Sequence, residues 1–395
     1  MDRDRVGLAE VLAAAEAAAP VESLDVAARN LWDRFGARYV SFLFVDAIGR
    51  RLVRVGEDLE SQTGRSAEQI PLAGSLYEEV LREQRLVLAP NEGLGQRVIA
   101  PVTNRGDTVG VLELTLPDAS DEVLQQVAET AHALAYIIVT DRRFTDLYHW
   151  GRRTTPISLA AEIQRQLLPS ASCCEAPQFT FAAALVPADA IAGDTYDFTL
   201  DHDTLHVSVT DAMGHDVNSA LLATLLVNAS RGARRAGCDL AEQARQTHQA
   251  VLDHGRGALA TGQLLRIPLD GAGARLVNAG HPWPLRLRDG EVQRVRLDAH
   301  LPFGVPSSAP YQVQRLDLRP GDRLVLYTDG MQERRAETVD LSEIIRETAT
   351  KHPREVVRAL TSAVTEVCHG HLEDDAAALC LDWHGPRSPR GRSGG

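Results

Sequence analysis

Aspartates recur at the tips of apolar, strand-like runs in this chain, each beside small residues. The alternating run TLHVSVT (204–210) leads directly into Asp211, and RLVLYT (323–328) leads into Asp329 and a glycine. The other aspartates placed in this way are Asp194, Asp374 and Asp375, with Asp197 as a further candidate close to the first. Each aspartate alone is compatible with an ordinary turn, since aspartate and glycine are common turn residues. Together they predict a carboxylate cluster at one end of a β core.

Such a cluster requires a counter-charge. Gathered carboxylates repel one another and lose hydration unless a cation neutralises them. Oxygen-only ligands suit Mg²⁺ or Mn²⁺, whereas a zinc site would favour cysteine and histidine. Two such ions can clamp a phosphoryl group and activate a water molecule. The residues therefore predict metal-assisted hydrolysis.

Composition limits the remaining possibilities. The chain has 395 residues, of which 44% are hydrophobic and 24% charged, so we expect two or three domains at about 150 residues each. The net charge of −13 argues against nucleic-acid binding, which needs a basic surface. No apolar run reaches the roughly 20 residues of a membrane span, and the N-terminus lacks the apolar stretch of a signal peptide. Five cysteines without paired spacing argue against a disulfide framework. We therefore expect a cytoplasmic protein with no membrane partner.

Residues 22–140, preceded by a helical segment at 1–21, alternate between helix and strand patterns. Their order predicts a small α+β sandwich with helices on one face of the sheet. The segments IPLAGSLYEEVLREQRLV (70–87) and RVIAPVTNRGDTVGVLEL (97–114) resemble a GAF domain, a sensor module for small ligands. That resemblance implies either an unidentified small ligand or an empty module that serves as a dimer scaffold.

Helical patterns connect this part to the rest of the chain. Apolar residues three and four positions apart fit either a coiled-coil seam or a helix packed on its own sheet; they are Leu124, Val127, Ala131, Leu134 and Ile138. A helical linker is expected over 141–169, ending in ISLAAEIQRQLLP at a proline. Its apolar face contains Leu159, Ile163 and Leu167. We expect a homodimer formed through this linker.

Seven blocks in the second half occur in the order typical of one family. They are AEIQRQLLP, PADAIAGDTYD, DAMGHD, NAGHPWP, PFGV, RPGDRLVLYTDGMQE and EDDAAAL. The chain from 157 to 384 resembles a metal-dependent serine/threonine protein phosphatase of the PPM class, in its SpoIIE-like, RsbU-like bacterial branch. The resemblance implies a phosphatase domain at 170–384, built as an α/β/β/α sandwich with two metal ions at one end of its sheets. Residues 385–395 are expected to form a disordered tail.

The resemblance also implies roles for individual residues. Asp211 would bridge both metals, with the backbone carbonyl of Ala212 beside it. Asp194 would complete one metal shell, and Asp329 and Asp374 would hold the other side. Asp375 and Asp197 are candidates of second rank.

Glycines and one histidine complete this set. Gly193, Gly214 and Gly330 would allow the backbone to come close to the ions and the phosphate. His215 would either donate a proton to the leaving serine oxygen or have a structural role. The chain departs from the family pattern at Ala192, Thr195 and Asp216, none of which removes a proposed ligand.

The implied activity is hydrolysis of phosphoserine or phosphothreonine on a regulatory protein. In this branch the substrate is typically an anti-anti-sigma (STAS) factor, and the GAF-like part would exert control. One alternative is a ligand-sensing scaffold with a degenerate phosphatase domain, against which the intact aspartates argue. Another is a nucleotide-cleaving metal enzyme, for which no nucleobase pocket or His-Asp cluster can be recognised.

Overall fold

The computed structural model describes residues 8–46, 49–55, 68–90, 93, 95–150, 158–188, 193–214, 217–332 and 334–387. The chain divides into two compact units, Met1–Pro156 and Ile157–Gly395. Among the described residues, no helix combines the length and apolar character needed to cross a membrane. The five cysteines are not paired in disulfides.

The N-terminal unit is one six-stranded antiparallel sheet, with the strand order β3-β2-β1-β6-β5-β4. Its elements are α1 (Leu8–Ala17), α2 (Ser23–Phe35), β1 (Tyr39–Val45), β2 (Arg51–Val55), β3 (Gln69–Pro71), α3 (Leu76–Glu83), β4 (Val87–Ala89), β5 (Gln96–Asn104), β6 (Asp107–Leu116), α4 (Asp121–Asp141) and α5 (Leu147–Trp150).

Helices cover both faces of this sheet, so the expectation of helices on one face is wrong. Phe42 and Phe44 of β1 lie in the same core as residues of α1, α2 and α4. Leu43 of β1 lies in a second core with Tyr77 and Val80 of α3. Because successive residues of a strand point to opposite faces, an uninterrupted apolar strand such as β1 needs cover on both.

The apolar stripe of α4 packs on its own sheet. Val127, Ala131, Leu134 and Ile138 are each at most 2% exposed and share a core with Phe44. These side chains are therefore already buried within one chain. The coiled-coil interpretation of this stripe is wrong, and it offers no seam for a homodimer.

The C-terminal unit has two stacked antiparallel sheets, with the strand orders β15-β12-β11-β10-β9 and β14-β13-β16-β17-β8-β7. Its elements are α6 (Leu159–Leu167), β7 (Cys173–Ala176), β8 (Phe179–Val186), β9 (Asp194–Leu200), β10 (Thr204–Ala212), α7 (Val217–Arg235), α8 (Leu240–His254), β11 (Ala260–Pro268), β12 (Ala274–Ala279), β13 (Leu285–Arg288), β14 (Glu291–Arg294), β15 (Gln314–Leu316), β16 (Arg323–Tyr327), α9 (Leu341–Glu347), α10 (Pro353–Val367) and β17 (Ala376–Trp383).

The core of this unit lies between the two sheets. Val207 and Val209 of β10 meet Leu324 and Leu326 of β16 there. Helices α7 and α8 cover the outer face of the first sheet, and α10 contacts β8 and β17 of the second. The unit therefore has the expected α/β/β/α layering. Because side chains alternate along a strand, Asp211 continues the inward face of β10.

Helix α6 is rotated relative to the expected apolar face. Its buried residues are Ala160, Ala161, Gln164 and Leu167, whereas Leu159 is 65% exposed. The prediction was right for Leu167 and wrong for Leu159. The buried stripe follows the small residues and one glutamine, because α6 packs closely against α7 at Ala220.

Candidate metal centre

Aspartates from both sheets meet at one end of the inter-sheet core. Asp194 and Asp211 stand directly opposite each other in the β9–β10 pair. Asp329 begins a short 3-10 turn immediately after β16, and its carboxyl group contacts that of Asp211. The charge of Asp374 acts on both Asp194 and Asp329. The structure thus places four of the expected aspartates near one another: Asp194, Asp211, Asp329 and Asp374.

Burial and mutual repulsion shift the titration of this cluster. Burial raises the pKa of Asp194 well above its usual range, and the charges of Asp211 and Asp375 raise it further. Burial likewise raises the pKa of Asp329, with a contribution from Asp374. Asp194 is 2% exposed, and its Oδ2 has no hydrogen-bond partner among the described residues. A buried carboxylate oxygen without a donor is unfavourable unless a cation satisfies it.

Asp375 has a different role from its neighbours, because its oxygens are occupied. They accept hydrogen bonds from the backbone N–H groups of Ala188 (2.8 Å) and Gly193 (3.0 Å) and from Gln164 Nε2 (2.6 Å). Burial outweighs these bonds and raises the pKa of Asp375 to about 6. Asp375 therefore orients the segment that carries Asp194. Its neighbour Asp374 is only half-buried.

Two glycines permit close backbone contacts at the cluster. A Cβ atom at Gly193 would collide with the carbonyl oxygen of Ala212, and one at Gly330 would collide with the carbonyl oxygen of Asp375. Ala212 N also donates to Gly193 O at 3.2 Å. Gly214 has a φ of +113°, which side-chain-bearing residues rarely adopt. Close backbone packing therefore excludes a side chain at Gly193 and Gly330, whereas the expected approach of these glycines to ions and phosphate stays a prediction.

The remaining candidates lie elsewhere. Asp197 forms ion pairs with Arg231 (2.8 Å) and Arg234 (2.9 Å) of α7, and β9 alternation points it away from Asp194. The structure therefore does not bring Asp197 into the cluster. His215, Ala192 and Asp216 fall outside the described residues.

Sequence reasoning missed two residues that support the site. Gln164 is 1% exposed, and its Nε2 donates to the carbonyl oxygen of Asp194 (2.7 Å) as well as to Asp375. Thr328 bonds to the carboxyl group of Asp194 and accepts from the N–H of Ala377 (2.9 Å). The sequence does carry a signal for Gln164, because this glutamine lies on the same face of α6 as the small residues Ala160 and Ala161.

The cluster fits divalent cations by its chemistry. In the part of the chain that the structure describes, no three acidic, imidazole or thiol groups already converge on one ion position. The donor set nevertheless consists only of hard oxygens, one of which is Asp194 Oδ2, buried and unsatisfied. Such a set favours Mg²⁺ or Mn²⁺.

Comparisons with known proteins agree with this chemistry. Residues 201–384 match the family model of Stage II sporulation protein E (SpoIIE). This part of the chain therefore resembles a SpoIIE-type phosphatase domain. Over 235 residues the chain is 23% identical to the phosphoserine phosphatase RsbU of Bacillus subtilis (strain 168). This alignment covers 57% of this chain and 69% of RsbU. These matches support the expected enzyme class, a protein serine/threonine phosphatase.

Two solved structures are similar to a little over half of this chain. The SiaA-PP2C domain of Pseudomonas aeruginosa is 23% identical, with a TM-score of 0.48 over 57% of this chain and 93% of that one. The RsbU and RsbW domains of Rv1364c from Mycobacterium tuberculosis are 24% identical, with a TM-score of 0.47 over 54% of this chain and 62% of that one.

Proposed function

We propose that this enzyme hydrolyses phosphoserine or phosphothreonine on a regulatory protein with two Mn²⁺ or Mg²⁺ ions. The ions would be held by Asp194, Asp211, Asp329, Asp374 and the backbone carbonyl of Ala212. One observation carries the proposal: carboxylates from both sheets meet at one end of the core, where Asp194 Oδ2 is buried without a donor.

The chain's own residues provide the frame for this reaction. Bound cations would neutralise the carboxylates, polarise the phosphoryl group and lower the pKa of water. Asp375 holds the backbone of Gly193 in place. Asp211 and Asp329 are only half-buried, so a phosphorylated side chain can reach them from solvent.

Metal dependence tests the proposal. Activity on a phosphopeptide should require Mn²⁺ or Mg²⁺, disappear in EDTA and return on adding the ion. Asp211→Asn and Asp329→Asn should abolish turnover while circular dichroism shows an intact fold. Asp253→Asn, an exposed carboxylate of α8, serves as the matched control. Full activity in EDTA or in Asp211→Asn contradicts the metal assignment. Complete inactivity under every metal condition would instead favour the degenerate scaffold.

We further propose a phosphorylated STAS-domain anti-anti-sigma factor as the substrate. The support is the likeness to the phosphoserine phosphatase RsbU together with the ordered motif blocks. The test is a time course with a phosphorylated STAS protein, followed by mass spectrometry, against an unrelated phosphoprotein as control. Equal rates on both proteins would contradict this substrate.

The N-terminal unit is proposed to act as a GAF-like sensor. Its six-stranded antiparallel sheet with helices on both faces supports this role. Helix α6 would transmit control, because Gln164 bonds directly to Asp375. The test compares the turnover and Mn²⁺ dependence of the full chain with those of residues 158–395, and sedimentation of the full chain tests homodimer formation. Identical behaviour of both chains contradicts sensor control.

A further inference from the structure

His281 lies buried near the aspartate cluster, although it belongs to none of the sites above. It is 3% exposed, and Asn278 holds its backbone on both sides. Asn278 Oδ1 accepts from His281 N (2.8 Å), and Asn278 Nδ2 donates to His281 O (3.1 Å). Gln263 Nε2 donates to the following carbonyl oxygen, that of Pro282 (2.7 Å). These bonds hold the imidazole ring in one place.

The two ring nitrogens of His281 face different sheets. Nδ1 lies 2.8 Å from Thr261 Oγ1 of β11. The other side of the ring lies near the backbone of Tyr327, which ends β16, but Nε2 has no hydrogen-bond partner among the described residues. Burial lowers the pKa of His281 to about 3, so the neutral ring carries a single N–H. Its one side-chain hydrogen bond among the described residues is the bond between Nδ1 and the Thr261 hydroxyl.

Both contacts lead to aspartates of the cluster. Thr261 stands directly opposite Asp211 in the β10–β11 pair, and side chains opposite each other in such a pair share one face at about 5 Å between Cβ atoms. Tyr327 precedes Asp329 by two residues. His281 therefore bonds to the strand pair that carries Asp211 and lies beside the strand that leads to Asp329, in the other sheet.

We propose that His281 is a positioning residue for the divalent-cation site. Through its hydrogen bond with the Thr261 hydroxyl, it fixes the side chain that stands opposite Asp211 and so helps to hold that carboxylate in place. This inference rests on the proposed metal-dependent function. Loss of a group that orients metal ligands typically weakens metal affinity or activity by about 10- to 100-fold, which sets the size of the expected effect.

Mn²⁺ affinity of the full-length protein, measured by electron paramagnetic resonance of the free ion without substrate, tests the proposal. His281→Leu should raise the Mn²⁺ dissociation constant by about 10- to 100-fold. The smaller His281→Asn keeps a polar group that can bond to the Thr261 hydroxyl near the position of Nδ1, so it should recover most of the affinity. Thr261→Val should raise the Mn²⁺ dissociation constant as much as His281→Leu does. The double variant should bind Mn²⁺ no more weakly than either single variant, because both substitutions remove the same hydrogen bond.

The control is Thr210→Val. Its hydroxyl bonds to Thr195 (2.6 Å), and β10 alternation places it on the face opposite Asp211, so its Mn²⁺ affinity should equal that of the wild type. If His281→Leu fails to fold, the Mn²⁺ affinities of Thr261→Val, His281→Asn and Thr210→Val still test the positioning role.

Equal weakening by His281→Asn and His281→Leu, additive effects of the two sites, or wild-type affinity in Thr261→Val would overturn the positioning role. Failure of the wild-type protein to bind Mn²⁺ would overturn the proposed function itself. Normal wild-type binding with any of those three results overturns this inference alone.

Discussion

Gln164 and Asp375 are 211 residues apart in sequence, yet Gln164 Nε2 donates to Asp375 Oδ2 at 2.6 Å. The same nitrogen lies 2.7 Å from the carbonyl oxygen of Asp194. Asp375 also accepts from the N–H of Gly193. One side chain of α6 therefore joins the two segments that carry Asp194 and Asp374. A change in the position of α6 must break these bonds or move the aspartates.

Replacing Gln164 should weaken both the fold and the metal site. In Gln164→Leu, we expect unfolding free energy to fall by about 1.5–3 kcal/mol, since a bond to a charged group is lost. The Mn²⁺ dissociation constant should rise by about 10-fold. The matched control is Gln243→Leu, another buried helical glutamine, which bonds to Ser230 and Arg266 away from the cluster. Similar Mn²⁺ affinities of the two variants would argue against a role for Gln164 at the site.

Removal of the charge should affect stability at Asp375 and turnover at Asp374. Asp375→Asn places an amide among several donors, so unfolding free energy should fall by about 1–3 kcal/mol. Asp374→Asn should leave stability nearly unchanged but abolish turnover if Asp374 is the metal ligand. Urea unfolding and phosphopeptide turnover, measured on both variants, check this. If Asp374→Asn turns over normally and Asp375→Asn is fully stable but inactive, Asp375 and not Asp374 is the metal ligand.

The metal-free protein should become less stable as the pH rises through the range in which the clustered aspartates lose their protons. The folded pKa of Asp375 is raised to about 6 from 3.8, and those of Asp194 and Asp329 are raised as well. The folded state therefore binds more protons than the unfolded state between these values, and this contribution to stability is present below pH 3.8 and lost as the pH rises through 6.

Urea unfolding in EDTA at pH 5 and pH 7.5 measures this effect. Asp194→Asn should be more stable than the wild type at pH 7.5, by about 1–2 kcal/mol, within the range of single substitutions, and the difference should shrink at pH 5. A constant difference at both pH values would contradict a raised pKa at Asp194.

Leu134→Asp should unfold the N-terminal unit, because Leu134 is buried against its own sheet. We expect a loss of at least about 3 kcal/mol, typical of severe core damage. Tyr136→Asp, on the exposed side of the same helix, should leave unfolding free energy nearly unchanged. Thermal unfolding of both variants provides the measurement. A stable Leu134→Asp protein that has lost a dimeric state would instead restore the coiled-coil interpretation.

The sequence alone determined where the aspartates stand along their strands. Apolar alternation along β10 leads to Asp211, and the run before Asp329 is a strand in the structure. Odd and even positions of a strand point to opposite faces of the sheet. The alternation therefore predicts the face of each side chain without knowledge of the tertiary structure. The order of the motif blocks likewise identified the phosphatase domain that the family match supports.

Only the tertiary structure decided what covers each face and which distant groups meet. The three-four spacing of α4 fitted a seam or a sheet equally well, because spacing shows which residues share a face but not what packs on it. The occupied oxygens of Asp375 and the inward position of Gln164 depend on contacts between remote segments. The link from His281 to Thr261 is of the same kind. Hydrogen bonds between side chains far apart in sequence require the packed sheets to exist first, so no local pattern specifies them.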